Sequence, residues 1–394
     1  MKKYIILFVF LQLFLNLKAQ WIIQDSGTPN WLNSVNFINE NIGYSVGMYG
    51  TVLKTVNGGN EWVTQVIDIN SRLNTVFFIN ADTGYIGGAD GIILKTIDGG
   101  NNWNIQNSNT TELILSIYFL NSNTGFATGY GTILKTIDGG ENWVEQANGI
   151  SSSITINAVH FINLQTGYLA CNANKIYKTT NCGLDWILIN NGITDGSILK
   201  SIYFINDTVG FVASNGTIWK TINAGNNWTV TDLESWGGIN SIVFNNSDTG
   251  YAVGNIPEPD GRGVIYKTTD AGNSWTLQEI ISNKLSSICF CNTTNYAVGD
   301  FGHIRKLSNT TEIANKKTFK LNIFPNPIIN SLNILSNDKY LGEGFYIFDV
   351  TGRKIYSNII NERTMQIDFS QFHSGMYILQ IDNKENEIYK LIKK

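Results

Sequence analysis

The 394-residue chain is 43% hydrophobic and only 15% charged, enough apolar surface for two or more ordinary domains and far from a disordered composition. Its formal charge of −4 is uneven: residues 1–18 carry +3 and residues 318–394 carry +1, leaving −8 between them, and so acidic a middle argues against a nucleic-acid partner. Thirty-eight glycines, 12% aromatic residues and only five prolines point to an all-β chain of short strands joined by tight turns.

The first element reads as a secretory signal peptide over residues 1–19: Lys2 and Lys3, an apolar run from Tyr4 to Leu17, then Leu17-Lys18-Ala19 ahead of Gln20. The run is short for a membrane span and no later segment offers roughly 18 unbroken apolar residues, so no transmembrane span is expected in the mature chain. Export permits disulfides. Cys289 and Cys291 stand two apart on one predicted strand, pointing the same way, and Cys171 and Cys182 lie at opposite ends of another. Buried free thiols are therefore expected rather than bridges. With three histidines in all and none beside these cysteines, neither a metal site nor a cofactor is expected.

From Gln20 the chain repeats. The phrase K-T-x-[DN]-x-G-x-x-W occurs at 54–62, 95–103, 135–143, 178–186, 220–228 and 267–275. Upstream of each lies a strand ending in phenylalanine: Phe37, Phe78, Phe119, Phe161, Phe204, Phe244 and, in a seventh unit, Phe290. A second aromatic follows a turn, as at Tyr44, Tyr85 and Phe126. Each unit reads as four short strands, the fourth starting at its tryptophan. The hairpin before it needs glycine because its backbone takes positive φ, as at Asp98-Gly99-Gly100. Four strands per roughly 41 residues is the period of a β-propeller blade. The seventh unit lacks a fourth strand, and Trp21-Ile22-Ile23-Gln24 supplies it. The expected fold over 20–307 is thus a seven-bladed β-propeller closed by the N-terminal strand.

The recurring turn resembles the Asp-box of bacterial sialidase-type propellers. The whole stretch resembles the photosystem II assembly and stability factor family through Gly43-Tyr44-Ser45-Val46-Gly47, Lys54-Thr55 and Asn57-Gly58-Gly59 up to Trp62. The resemblance implies a propeller fold and an arginine-rich patch for a partner. Here the propeller holds only Arg72, Arg262 and Arg305, in different repeats, so the partner does not carry over.

No nucleophile elbow, phosphate loop, H-E-x-x-H or paired-carboxylate motif is present. Sialidase chemistry needs clustered arginines for the substrate carboxylate, which three dispersed ones do not supply. His160 reads as a strand filler, and His303, beside Asp300, as structural ahead of catalytic. In a four-stranded blade the second-to-third-strand loops and the inter-blade connections emerge on one face, and the Gly-Gly turns on the other. The first set varies most and offers candidate ligand-binding residues: Trp31, Tyr49, Arg72, Asp90, Tyr130, Trp236 and Phe301, with Asp300 and His303 beside them. The longest departure, 255–262, adds Asp260 and Arg262. Exposed aromatics beside a few charges suit recognition.

A polar linker is expected over 308–317, after which the 41-residue period is lost. Residues 318–394 alternate as short strands at 321–324, 332–335, 345–350, 354–356, 366–369 and 376–381, the pattern of a small β-sandwich. The segment resembles the C-terminal sorting domain of the type IX secretion system. Its matching residues include Pro325, Asn326 and Pro327, then Gly352 and Arg353, then Gly375 and Tyr377, and finally Lys393 in the closing Tyr389-Lys390-Leu391-Ile392-Lys393. The resemblance implies engagement of the type IX machinery, export across the outer membrane and a secreted or cell-surface destination. The expected function is a non-enzymatic propeller that binds an extracellular protein or glycan. An envelope scaffold like the photosystem II assembly factors is the alternative, and a sialidase-like glycoside hydrolase a second one.

Overall fold

In the computed structural model each repeat forms one four-stranded antiparallel sheet, and seven such sheets make the blades of a propeller. The structure describes residues 20–146, 149–189, 192–193, 196–214, 216–233, 238–257, 261–308, 321–324, 327–336, 340–362, 364–382 and 388–394. The expected signal peptide and all of the expected linker except Ser308 lie outside these. The chain divides into two units, Met1–Thr311 and Glu312–Lys394.

Blade one shows the plan. Its strands run Leu32–Phe37, Gly43–Gly47, Val52–Thr55 and Val63–Thr64, each pairing with the next. All five residues of Gly43–Gly47 are buried, because a blade is covered by a neighbour on both faces. The fourth strands begin one residue after the tryptophan rather than at it, as in Asn104–Gln106. Trp103 instead stands edge-on to Phe78 at 5.9 Å.

The repeated phrase fastens blade to blade. The Tyr44 hydroxyl and the Lys54 Nζ both donate to the Gly99 carbonyl in the next blade's turn, each at 2.6 Å. Tyr85 does the same to Gly139 (2.6 Å) and Tyr168 to Ala224 (3.0 Å). The turn itself is wound around its acid or amide: Asp98 Oδ1 accepts from the Thr96 hydroxyl (2.9 Å) and the Asn102 N–H (2.9 Å). Gly100, at φ 73°, must be glycine twice over, since a Cβ there would fall 2.9 Å from the Tyr44 ring. Six of the seven such tyrosines and phenylalanines also stack on the next blade's phenylalanine, as Tyr44 does on Phe78 at 4.0 Å.

The ring closes as the repeat arithmetic requires. Strand Gln20–Gln24 pairs antiparallel with Ile304–Ser308, Trp21 opposite Leu307. Trp21 is buried and stands edge-on to Tyr251 at 5.7 Å. Arg305 donates to the Trp21 carbonyl (3.2 Å) and ion-pairs with Glu279 (3.2 Å). Across the seam Tyr296 stacks on Phe37 and its hydroxyl donates to the Gly58 carbonyl at 3.1 Å. The four cysteines are free thiols.

The C-terminal unit is built from a three-stranded and a four-stranded sheet sharing one core that includes Leu332, Phe345, Ile347, Phe369, Leu379 and Leu391. Besides the expected strands it has Ile388–Lys393, formed by the closing motif.

Candidate functional site

Hydrogen bonds sort the propeller loops onto two faces. The Gly58 N–H of one Gly-Gly turn donates to Asn41, in the turn after its blade's first strand, at 2.9 Å. On the opposite face the second-to-third-strand loops meet the inter-blade connections: Met48 N–H donates to Trp31 and Gly50 N–H to Ser71, both at 2.9 Å. In blades one, two and seven these loops are two-residue hairpins with both central residues at positive φ: Tyr49-Gly50 (56°, 64°), Asp90-Gly91 (58°, 66°) and Phe301-Gly302 (55°, 68°); blade four repeats the shape with Ala173-Asn174 (52°, 58°). In blade one the second position needs glycine, for a Cβ on Gly50 would fall 1.7 Å from the Ile69 carbonyl oxygen. The first position is the unexpected one. Left-handed backbone is unfavourable for a bulky side chain, yet Tyr49 and Phe301 adopt it while 65% and 62% exposed.

The other sequence candidates spread around this face. Trp31 is exposed and stands edge-on to Phe301 at 6.0 Å. Asp90 accepts from the Ser71 hydroxyl at 3.0 Å, beside an open groove of about 860 Å3 running from Asp90 to Thr111. Tyr130 is exposed in blade three, and Arg262 is exposed in blade six. Trp236 and Asp260 lie outside the described residues. Asp300 is buried rather than displayed, and that burial pushes its carboxyl up while Lys284 pulls it down. His303 sits between Asn283 Nδ2 (3.3 Å) and the Arg305 Nε (2.9 Å). Burial, and then the Arg305 charge, depress its pKa to about 4, so it stays neutral and positions the seam.

Sequence reasoning missed the centre of the same face. The residues four positions before the first-strand phenylalanine of each blade come together at the centre of this face and line a cavity of about 290 Å3. Blades one, two, four and six contribute Asn33, Asn74, Asn157 and Asn240, and blade five Lys200; Leu115 and Ser286 complete the ring, with Arg72 on its rim. Each asparagine Nδ2 donates to a backbone carbonyl one blade on: Asn33 to Leu73 (2.7 Å), Asn74 to Ile114 (2.8 Å), Asn157 to Leu199 (2.9 Å) and Asn240 to Leu285 (2.6 Å). Lys200 Nζ donates to Asn240 Oδ1 (2.8 Å), and Arg72 Nε to Asn74 Oδ1 (2.5 Å). Aligning the seven repeats on their phenylalanines would have exposed this column of asparagines, four residues before Phe37, Phe78, Phe161 and Phe244.

Deeper along the axis the lining turns aromatic. Phe77 meets Tyr118 at 5.5 Å, Tyr118 meets His160 at 5.8 Å, and His160 meets Tyr203 at 5.2 Å. His160 is half-buried, and burial depresses its pKa to about 4. It is a neutral member of a plug, in keeping with a filler.

In the C-terminal unit the sorting motifs converge. Asp349 pairs with Tyr377, Tyr377 with Leu391 and Gly375 with Lys393, while Ile328, next to the exposed Pro327, bridges Lys393 in parallel. Lys393 Nζ also donates to the Ile329 carbonyl. Gly352, at φ 82°, turns the hairpin that lets Arg353 pair with Asp349 at 3.1 Å. A Cβ on Gly375 would meet nothing within 4 Å, so crowding is not what selects glycine there. Pro325 and Asn326 lie outside the described residues.

Residues 15–110 and 101–256 match the family described as Photosynthesis system II assembly factor YCF48. Residues 322–394 match the Secretion system C-terminal sorting domain. Among solved structures, YCF48 bound to D1 peptide superposes with a TM-score of 0.62 at 19% identity, covering 73% of this chain and 97% of that one. YCF48 from Cyanidioschyzon merolae gives 0.60 at 19%, covering 74% and 99%. The GH74 enzyme of Niastella koreensis gives 0.61 at 16% identity, covering 72% of this chain and 53% of that one. At these identities the likeness is one of fold. A curated relative, ulvan lyase NLR42 of Nonlabens ulvanivorans, is 30% identical over 84 residues, which span 21% of this chain and 16% of the lyase. No helix among the described residues is long and apolar enough to cross a membrane.

Proposed function

The chain belongs to the Photosynthesis system II assembly factor YCF48 family, and from that premise we propose that it is a non-enzymatic binding propeller whose irregular loop face holds a protein or glycan partner outside the cell. Its tail is a type IX sorting domain, and the protein is exported to the cell surface or the medium. One observation carries the binding reading. Tyr49 and Phe301 are held in left-handed backbone with their rings largely in solvent, a local strain that a recognition surface explains.

The test is capture by the exported protein on a glycan array and in pull-downs from its own culture medium. The proposal expects a partner that Tyr49→Gly and Phe301→Gly release. A second reading, polysaccharide cleavage, is favoured by the likeness to the GH74 fold and the match to the ulvan lyase. Product formation from a panel of polysaccharides would establish it and overturn the non-enzymatic reading.

A further inference from the structure

The cavity at the channel mouth differs from the rest of the loop face. It is polar and basic: of its lining residues only Leu115 is apolar, two are cationic and none is acidic among those described. The asparagine Nδ2 groups are committed to neighbouring blades, which fixes the amide planes, and Asn33 and Asn157 carry amide oxygens as further acceptors on residues that line the cavity. Fixed acceptors of this kind suit hydroxyl donors. Lys200 spends one N–H on Asn240 and has two more to give. It is half-buried, and burial, then the charge of Lys284, pushes its pKa down. Lys200 and Arg72 line one cavity with no acidic side chain among its lining residues, a field that an anion relieves. The volume, about 290 Å3, lies at the small end of ligand pockets, near ~300 Å3. It suits one ring rather than a chain.

We propose that the channel mouth binds an acidic monosaccharide unit, its carboxylate on Lys200 and its hydroxyls on the asparagine amides and Ser286. The proposal rests on the reading that this face recognises a partner, and it names the chemistry at the centre of that face. A peptide terminus is the weaker fit, because it would ask for apolar side-chain subsites that Leu115 alone does not provide.

The experiment is isothermal titration of the intact exported protein with sodium glucuronate, glucose and glutarate at low salt. Glucuronate should bind, with glucose and glutarate each weaker by about tenfold or more, a difference of ~1.4 kcal/mol. Lys200→Gln keeps the stem and a donor for Asn240 and should lose about tenfold, whereas Lys200→Arg should restore binding. Should Lys200→Gln fail to fold, Arg72→Gln, at the other cationic lining residue, must still weaken glucuronate and leave glucose unchanged. Equal affinity for glucuronate and glucose, equal affinity for glutarate, or glucuronate binding indifferent to both Lys200 and Arg72 would each overturn the proposal. The Tyr49→Gly and Phe301→Gly variants separate the two readings. If they abolish partner capture while wild-type protein shows no glucuronate binding, only this inference fails.

Discussion

The two faces of the propeller obey different rules. On the Gly-Gly face, blades repeat nearly the same phrase, and its atoms serve the fold: tyrosine and lysine of one blade bond the turn of the next, and the turn's aspartate or asparagine holds its own loop. On the opposite face the loops of blades one, two, four and seven share a backbone shape but not a sequence. Tyr49, Asp90 and Phe301 occupy the same left-handed position in three blades. Where side chains are needed for stability they are repeated, and where they vary around a conserved turn they are free to be selected for contact. The seam at blade seven likewise serves the fold, since Arg305 there donates both to the closing strand and to His303.

The strongest way to break this contrast is to attack the repeated parts. Trp21→Ala empties a buried site at the ring closure and should cost about 3–5 kcal/mol, read as a lower midpoint in chemical denaturation. An unchanged midpoint would mean that Gln20–Gln24 does not lock the ring. Next comes acid. Asp98, Asp138 and Asp270 have pKa values lowered from 3.8 to about 2, chiefly by hydrogen bonds from Asn102, Asn142 and Ser274. Between those values the unfolded chain binds more protons, so their stabilisation is complete above the ordinary carboxylate range and is lost as pH falls from about 4 toward 2. Blades one, four and five carry Asn57, Asn181 and Asn223 instead. Replacing all three aspartates by asparagine should therefore flatten the acid limb of melting temperature against pH. A smaller effect is expected from Tyr44→Phe, about 1 kcal/mol, because Lys54 still serves the Gly99 carbonyl; thermal denaturation reads it.

Architecture was legible because it is written seven times. Phenylalanine spacing gave the blade count, and the missing fourth strand of the last repeat identified its replacement at Trp21. The cavity was hidden for the opposite reason. Asn33, Asn74, Asn157 and Asn240 are small polar residues inside otherwise apolar strands, and only the curvature of the ring turns them toward a common axis. Loop identity showed which residues vary, but not that Asp300 is buried or that Tyr49 and Phe301 sit in left-handed backbone. In the tail, linear motifs were visible while their meeting was not, since Ile328 reaches Lys393 only through parallel pairing at the end of the chain.

The variable face is tested most directly by the double variant Tyr49→Gly, Phe301→Gly, measured for melting temperature and partner capture on the same preparation. Glycine relieves the left-handed strain and removes two exposed rings, so the melting temperature should hold or rise by an amount equivalent to about 1 kcal/mol while capture is lost. A clear fall in melting temperature with capture intact would contradict the division of labour, and would make these aromatics part of the scaffold.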